Sequence, residues 1–175
     1  MATILRPTRG WVGLDVPELF RFRDLLFALA NRDVKLRYKQ TILGIAWVVF
    51  QPLMAAGLLY FAFRIVAGIE PPQGRSFFLF SFAGLLAWNL FSTTLNKTSL
   101  SMVGNSYLVS KVYFPRLILP FSGAVSTLLD FLVSFGVLLV LCAVYGVRPD
   151  PALIVLPIWI LLLLSLAMGL GLVAA

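Results

Sequence analysis

Histidine is absent from these 175 residues, and Cys142 is the one cysteine. With no histidine and no second thiol the chain lacks the usual ligand sets of transition-metal sites, and an intrachain disulfide is excluded. Acids are scarce: seven Asp and Glu stand against fourteen Lys and Arg. Charged residues make up 12% of the chain, well below the roughly 25% of a soluble domain. No G-x-x-x-x-G-K-[ST] phosphate loop occurs, nor G-x-S-x-G, H-E-x-x-H or a cysteine–histidine pair. An intramembrane aspartyl centre would need two facing carboxylates, and Asp130 is the lone acid inside a long apolar run. Nothing here assembles a catalytic centre, and no metal site is expected.

What the chain has in abundance is apolar surface. Hydrophobic residues are 61% of the total, and the mean hydropathy is +0.98. A soluble core of this size cannot hide that much, so the bilayer has to serve as solvent. Four runs carry it. Twenty-four uncharged residues separate Lys39 from Arg64, twenty-one separate Arg75 from Lys97, and thirty-one separate Arg116 from Arg148, broken only by Asp130. Twenty-five uncharged residues follow from Pro151. Each run exceeds the ~20 residues that cross a hydrocarbon core. The expected fold is an all-α integral membrane protein with spans at about 42–63, 77–97, 117–145 and 152–174.

The basic residues orient it. Eight of the fourteen precede residue 40. With a cytoplasmic N-terminus, Lys97, Lys111 and Arg116 join them, against Arg64, Arg75 and Arg148 outside. That is eleven to three, a clear positive-inside bias. Basic residues that hug membrane boundaries are explained by lipid and topology, so no nucleic-acid partner is expected. The connectors GIEPPQG (68–74) and YGVRPDP (145–151) carry the Pro and Gly punctuation of outer loops.

Residues 1–17 hold Arg6, Arg9, Pro7, Gly10, Gly13 and Pro17 without a signal-peptide core, and are expected to form a loosely ordered cytoplasmic tail. Residues 18–40 read as an amphipathic helix with a break near Asn31. Leu19, Phe22, Leu25, Leu26, Leu29 and Leu36 gather on one side, and Arg21, Asp24, Arg32, Lys35 and Lys39 opposite. Such a helix lies in the membrane interface with its basic face toward lipid headgroups. At the other end, LGLVAA brings the chain to a stop without the basic anchor that usually marks the cytoplasmic interface. The sequence is therefore expected to be a fragment with further spans to follow.

Polar residues within the spans are the candidates for a transport path. The second span carries Trp88, Asn89, Phe91, Ser92, Thr93 and Thr94 toward its cytoplasmic half, a run that should face other helices or water. Trp47 and Phe50 in the first span add aromatic faces, suited to sugar rings or to plain packing and interface roles. Asp130 is either a packing acid hydrogen-bonded to Ser126, Thr127 or Ser134, or part of a wet path for polar cargo.

Between the second and third spans lies GNSYLVSKVYFPRLILP (104–120), polar, aromatic and basic, with Lys111 and Arg116 and no acid. Asn105 or Ser106 can cap a short helix over about 105–114 that presents Tyr107, Leu108 and Lys111 outside the bilayer. Pro115, expected at the start of the third span, gives a stiff junction.

Two stretches together resemble the permeases of type-2 ABC exporters of O-antigen, capsular polysaccharide and teichoic acid. In the first, Leu36, Arg37, Tyr38, Lys39, Thr41, Leu43, Gly44, Trp47, Pro52 and Leu53 match the approach to the family's first span. In the second, KVYFPRLILP is similar to its cytoplasmic turn, F-P-R-E-[IV]-L-P, matching at Phe114, Pro115, Arg116 and Pro120 but with Leu117 in place of the usual Glu. The resemblance implies a six-span permease in the bacterial cytoplasmic membrane. It also implies a homodimer with two cytoplasmic ATPase subunits that bind ATP and Mg, and a lipid-linked polysaccharide as cargo. Residues 18–40, with Arg21, Arg32, Lys35, Arg37, Tyr38 and Lys39, would be an interface or gate helix. The turn with Asn105, Tyr107, Leu108, Lys111, Tyr113, Phe114, Pro115 and Arg116 would be the coupling helix seated in the ATPase. The rival readings are a type-2 exporter of a drug or other lipid, and a polytopic scaffold without transport.

Overall fold

The computed structural model describes residues 22–39, 45–69, 76–105, 107, 111, 115, 117–147 and 151–175. Five helices organise them: α1 (Arg23–Lys39), α2 (Ile45–Leu59), α3 (Phe77–Ser99), α4 (Ile118–Val144) and α5 (Leu156–Val173). There is no strand among the described residues. Four helical stretches are long and apolar enough to cross a membrane: Ala46–Val66, Phe77–Ser99, Ile118–Val144 and Leu153–Val173. They coincide with the four expected spans to within a few residues. Most of their large apolar side chains stay on the outside of the bundle, as lipid-facing surfaces should. The chain is a multi-pass membrane protein.

At the centre stands α3, which packs against α2, α4 and α5. Phe82, Leu86, Leu90, Thr94 and Thr98 are all buried and recur every fourth residue, forming one ridge along the helix. The part toward Phe77 is apolar, where Phe82 and Leu86 meet Ala56 of α2 together with Phe131 and Leu138 of α4. The part toward Ser99 is hydroxylic. There Thr94 and Thr98 are fully buried, and neither Oγ1 has a hydrogen-bond partner among the described residues. Small residues on the neighbours let the backbones close on this part, a common device where lipid supplies no hydrophobic drive. A Cβ placed on Gly123 of α4 would lie 3.3 Å from Lys97 Cβ, and one on Gly171 of α5 would lie 2.7 Å from Thr98 Cβ.

The first span is not a uniform rod. Pro52 sits buried inside α2, where its ring removes one backbone hydrogen bond. Beyond Leu59 the chain continues as a π-helical stretch, Tyr60–Val66, none of it buried. The first and third spans each end at a glycine in the left-handed region, Gly68 (φ 66°) and Gly146 (φ 67°). At the second, Val147 N donates to Cys142 O at 2.9 Å and Gly146 N to Ala143 O at 3.2 Å, closing α4 as a Schellman motif.

α1 differs from expectation in two respects. It runs without a break through Asn31, which is exposed and makes no demand on the helix backbone. Its buried stripe is also shorter than the sequence pattern: Leu26 and Leu29 pack with Ile118 and Leu119 at the base of α4, joined by Phe22 and Leu25. Leu36 is 49% exposed, because it lies two turns beyond that contact. These contacts dock the first half of the helix on the foot of α4. α4 itself starts at Ile118, three residues after Pro115, whose carbonyl accepts from Ile118 N at 3.0 Å. Pro120 falls in its first turn, where a missing N–H costs nothing.

Candidate functional site

Two groupings of polar side chains are the candidates, one at the foot of the bundle beside α1 and one inside it. At the foot, α3 gives way to a single helical turn, Ser101–Gly104, that ends at Asn105. Ser101 Oγ donates to Thr98 O at 2.7 Å, and Asn105 Nδ2 donates back to Ser101 O at 3.0 Å. The Asn105 Oδ1 then accepts from Arg32 Nη2 of α1 at 3.0 Å, while the same guanidinium holds Asp33 Oδ1 at 3.1 Å. A continuous hydrogen-bonded path therefore runs from the end of α3, through the turn, to α1. Asn105 thus spends its side chain closing the preceding turn and binding Arg32, where the sequence suggests an N-cap for the next helix. Beyond it Tyr107 is 68% exposed, and Lys111 Nζ lies 4.4 Å from its ring centroid while donating to its Oη at 3.1 Å. Both residues are helical, and their spacing of four puts them on one face.

Other predicted members of this region are less fully placed. Lys35 is exposed on α1. Arg21, Leu108, Tyr113, Phe114 and Arg116 lie outside the described residues, as do the side chains of Arg37, Tyr38 and Lys39. Between α1, the end of α3 and the start of α4 is a cleft of about 360 Å³ bordered by Asp33, Asn96, Lys97, Ser101 and Asn105. Lys97 Nζ donates to Ser126 Oγ of α4, and its stem lies along Gly123.

Inside the bundle, α2, α3 and α4 enclose a cleft of about 380 Å³. Its apolar walls are Trp47, Val48 and Pro52 from α2, Leu86 and Leu90 from α3, and Phe131 from α4. Its polar groups are Gln51, Asn89, Thr93, Thr127, Asp130 and Ser134. Three predicted path residues, Trp47, Asn89 and Asp130, therefore come together from three separate spans. Four do not join them. Phe50 lies tilted beside Trp47, with ring centroids 6.0 Å apart, and is not part of the lining. Trp88, 61% exposed, pairs with Phe91 at 6.1 Å on another face of α3. Thr94 is on the buried ridge. Of the hydroxyls expected to serve Asp130, Ser126 and Thr127 both donate to Gly123 O at 2.9 Å instead.

Comparison with known proteins adds a separate line of information. Two proteins of Klebsiella pneumoniae named O-antigen export system permease protein RfbA are 33% and 34% identical over 127 residues, 73% of this chain and 48% of each relative. One of the same name from Myxococcus xanthus is 32% identical over 160 residues, 91% of this chain and 60% of the relative. The chain belongs to the O-antigen export permease family. It spans about half the length of the curated relatives it matches. No family profile matches the chain.

For a member of this export permease family, two functional features escape a reading of the sequence. Gln51 stands four residues past Trp47 in an otherwise apolar helix, a polarity that could have flagged it, and it completes the cleft. The Arg32–Asn105 bond joins positions 73 residues apart, and neither residue carries a local signal of the other.

Proposed function

We propose that this chain is the transmembrane permease subunit of an ATP-driven type-2 ABC exporter that carries a lipid-linked polysaccharide of the O-antigen type across the bacterial cytoplasmic membrane. The single observation that carries the reading is the hydrogen-bonded path from α3 through Ser101 and Asn105 to Arg32, with exposed Tyr107 and Lys111 just beyond it. An aromatic–cation pair exposed on a turn tied to two helices offers a partner a surface to press on. A separate ATPase subunit that binds ATP and Mg would seat against this turn, and a second permease copy would complete the passage. Its closure would press on residues 105–114. Because Asn105 holds Arg32, the displacement reaches α1, and because α1 is docked on Ile118 and Leu119 it reaches α4. Those movements would open the bundle where the three-span cleft lies.

With its N-terminus in the cytoplasm, the orientation that the charge bias favours, the turn is on the nucleotide side. In the full-length permease–ATPase complex, a Tyr107→Cys variant is expected to crosslink to cysteines placed on the ATPase surface, and nucleotide is expected to change the yield. No crosslink from any position of the turn, in a complex that assembles, would overturn the coupling role.

A further inference from the structure

We propose that the cleft at the foot and the cleft inside the bundle are two lengths of one polar groove between α3 and α4, and that the Lys97 side chain is the movable bar closing the groove between them. The inference deepens the export reading by naming what seals the path at rest, and its test does not require export to occur.

The faces of the two helices carry it. On α3, Thr93 borders the inner cleft while Asn96 and Lys97, three and four residues on, border the cleft at the foot. On α4, Gly123 borders the foot cleft and Thr127, four residues on, the inner one. Such spacings put both linings on a single face of each helix. The helices run antiparallel, since Lys97 meets Ser126 near the start of α4 while Phe82 packs with Phe131 and Leu138 further along it. The two clefts therefore follow one another along one seam.

Lys97 lies where they divide. A lysine near the end of a span ordinarily snorkels outward. This one leans the other way, as the tilt of side chains toward a helix N-terminus favours. Its stem crosses the floor of the seam at Gly123, where an added Cβ would lie 3.3 Å from Lys97 Cβ and 3.8 Å from its Cδ. Its Nζ reaches one turn deeper and donates to Ser126 Oγ. Ser126 is 1% exposed and gives its own proton to Gly123 O at 2.9 Å, so its oxygen is set to accept from the ammonium. The bond sits between Gly123 of one cleft and Thr127 of the other. A lysine stem is flexible, so the bar can lift while the helices stay packed. α4 is also where the path from Asn105 through Arg32 and α1 ends, so a displacement of its foot shifts Ser126 relative to Lys97.

The test is thiol labelling of the full-length permease with its ATPase, without nucleotide, in a background from which the native cysteines have been removed. A charged, membrane-impermeant methanethiosulfonate is added to inverted or to right-side-out vesicles carrying Thr93→Cys. Asn96→Cys, in the foot cleft, identifies the foot side and serves as the control. Lys97→Ala is expected to speed labelling of Thr93→Cys from the foot side about ten-fold, the open fraction rising when a charge-assisted hydrogen bond is lost. Labelling of Thr93→Cys from the opposite face, and of Asn96→Cys, should stay within about two-fold. Ser126→Ala removes the acceptor but keeps the stem; it is expected to speed foot-side labelling at least about three-fold, and it keeps the test decisive if Lys97→Ala assembles poorly. An unchanged foot-side rate in whichever variants assemble overturns the bar, and so does an equal rise from both faces, which would mean a loosened bundle. A complex that labels as expected, yet hydrolyses ATP without moving a lipid-linked glycan, removes the export reading and leaves the bar standing.

Discussion

Asn105 bears a large share of the mechanical argument for its size. Its two side-chain atoms make one bond back to Ser101 and one across to Arg32, so one amide joins the end of α3 to α1. The bond to Arg32 is solvent-exposed, and exposed charge contacts contribute at most ~1 kcal/mol to a fold. Asn105→Ala should therefore leave assembly and basal ATP hydrolysis in place while uncoupling them from transport. Export is expected to fall by about three- to ten-fold at unchanged hydrolysis, a barrier change of ~0.7–1.4 kcal/mol, measured as glycan moved per ATP. Equal losses in hydrolysis and export would mean that the amide serves assembly alone. Residues of this kind are only half legible in sequence. Asn105 stands out as a polar residue at a turn, but its choice between capping the next helix and holding Arg32 depends on where α1 lies. The same limit applies to Asp130: the sequence marks it as a costly intramembrane acid, yet only the three-span arrangement puts Gln51 and Asn89 around the same cleft.

At the level of helices, the tightest of the described glycine sites is Gly171, where α5 meets α3. A Cβ on Gly171 would meet Thr98 Cβ at 2.7 Å, Thr98 Cγ2 at 2.9 Å and the Leu95 carbonyl oxygen at 3.0 Å. Two of these neighbours are rigid, a β-carbon and a backbone atom, so the helices rather than a side chain must yield. Gly171→Ala is expected to destabilise the protein by ~1–3 kcal/mol, the usual cost of overpacking, seen as a lower melting temperature in detergent. Gly169→Ala, with open space around its site, is the matched control and should change little. A loss of the same size in both variants would point to helix flexibility instead of contact. Hydropathy and charge locate these helices well because span length is a property of the bilayer. They say little about the spacing of backbone hydrogen bonds: the π-helical stretch Tyr60–Val66 is, like the α-helix before it, mostly apolar. Leu36 is another instance. It belongs to the apolar stripe of α1 by angle, but the stripe is longer than the foot of α4 that covers it.

For the molecule as a whole, orientation governs everything proposed here, and it rests on eleven basic residues against three. In a Cys142→Ala background, a membrane-impermeant thiol reagent applied to intact cells should label Val147→Cys, and should label Tyr107→Cys only after permeabilisation. The reverse pattern would put the Arg32–Asn105 path on the wrong side for a nucleotide-driven subunit. The outer ends of the first and third spans carry a further consequence. Gly68 and Gly146 turn the chain through the left-handed region, and at Gly146 the last carbonyls of α4 are already satisfied. Nothing after Val147 is then needed to hold that helix end. Sequence added there lengthens a connector without unwinding a span, so an epitope or fluorogen-binding peptide inserted after Val147 would report on living cells from outside, far from the working parts.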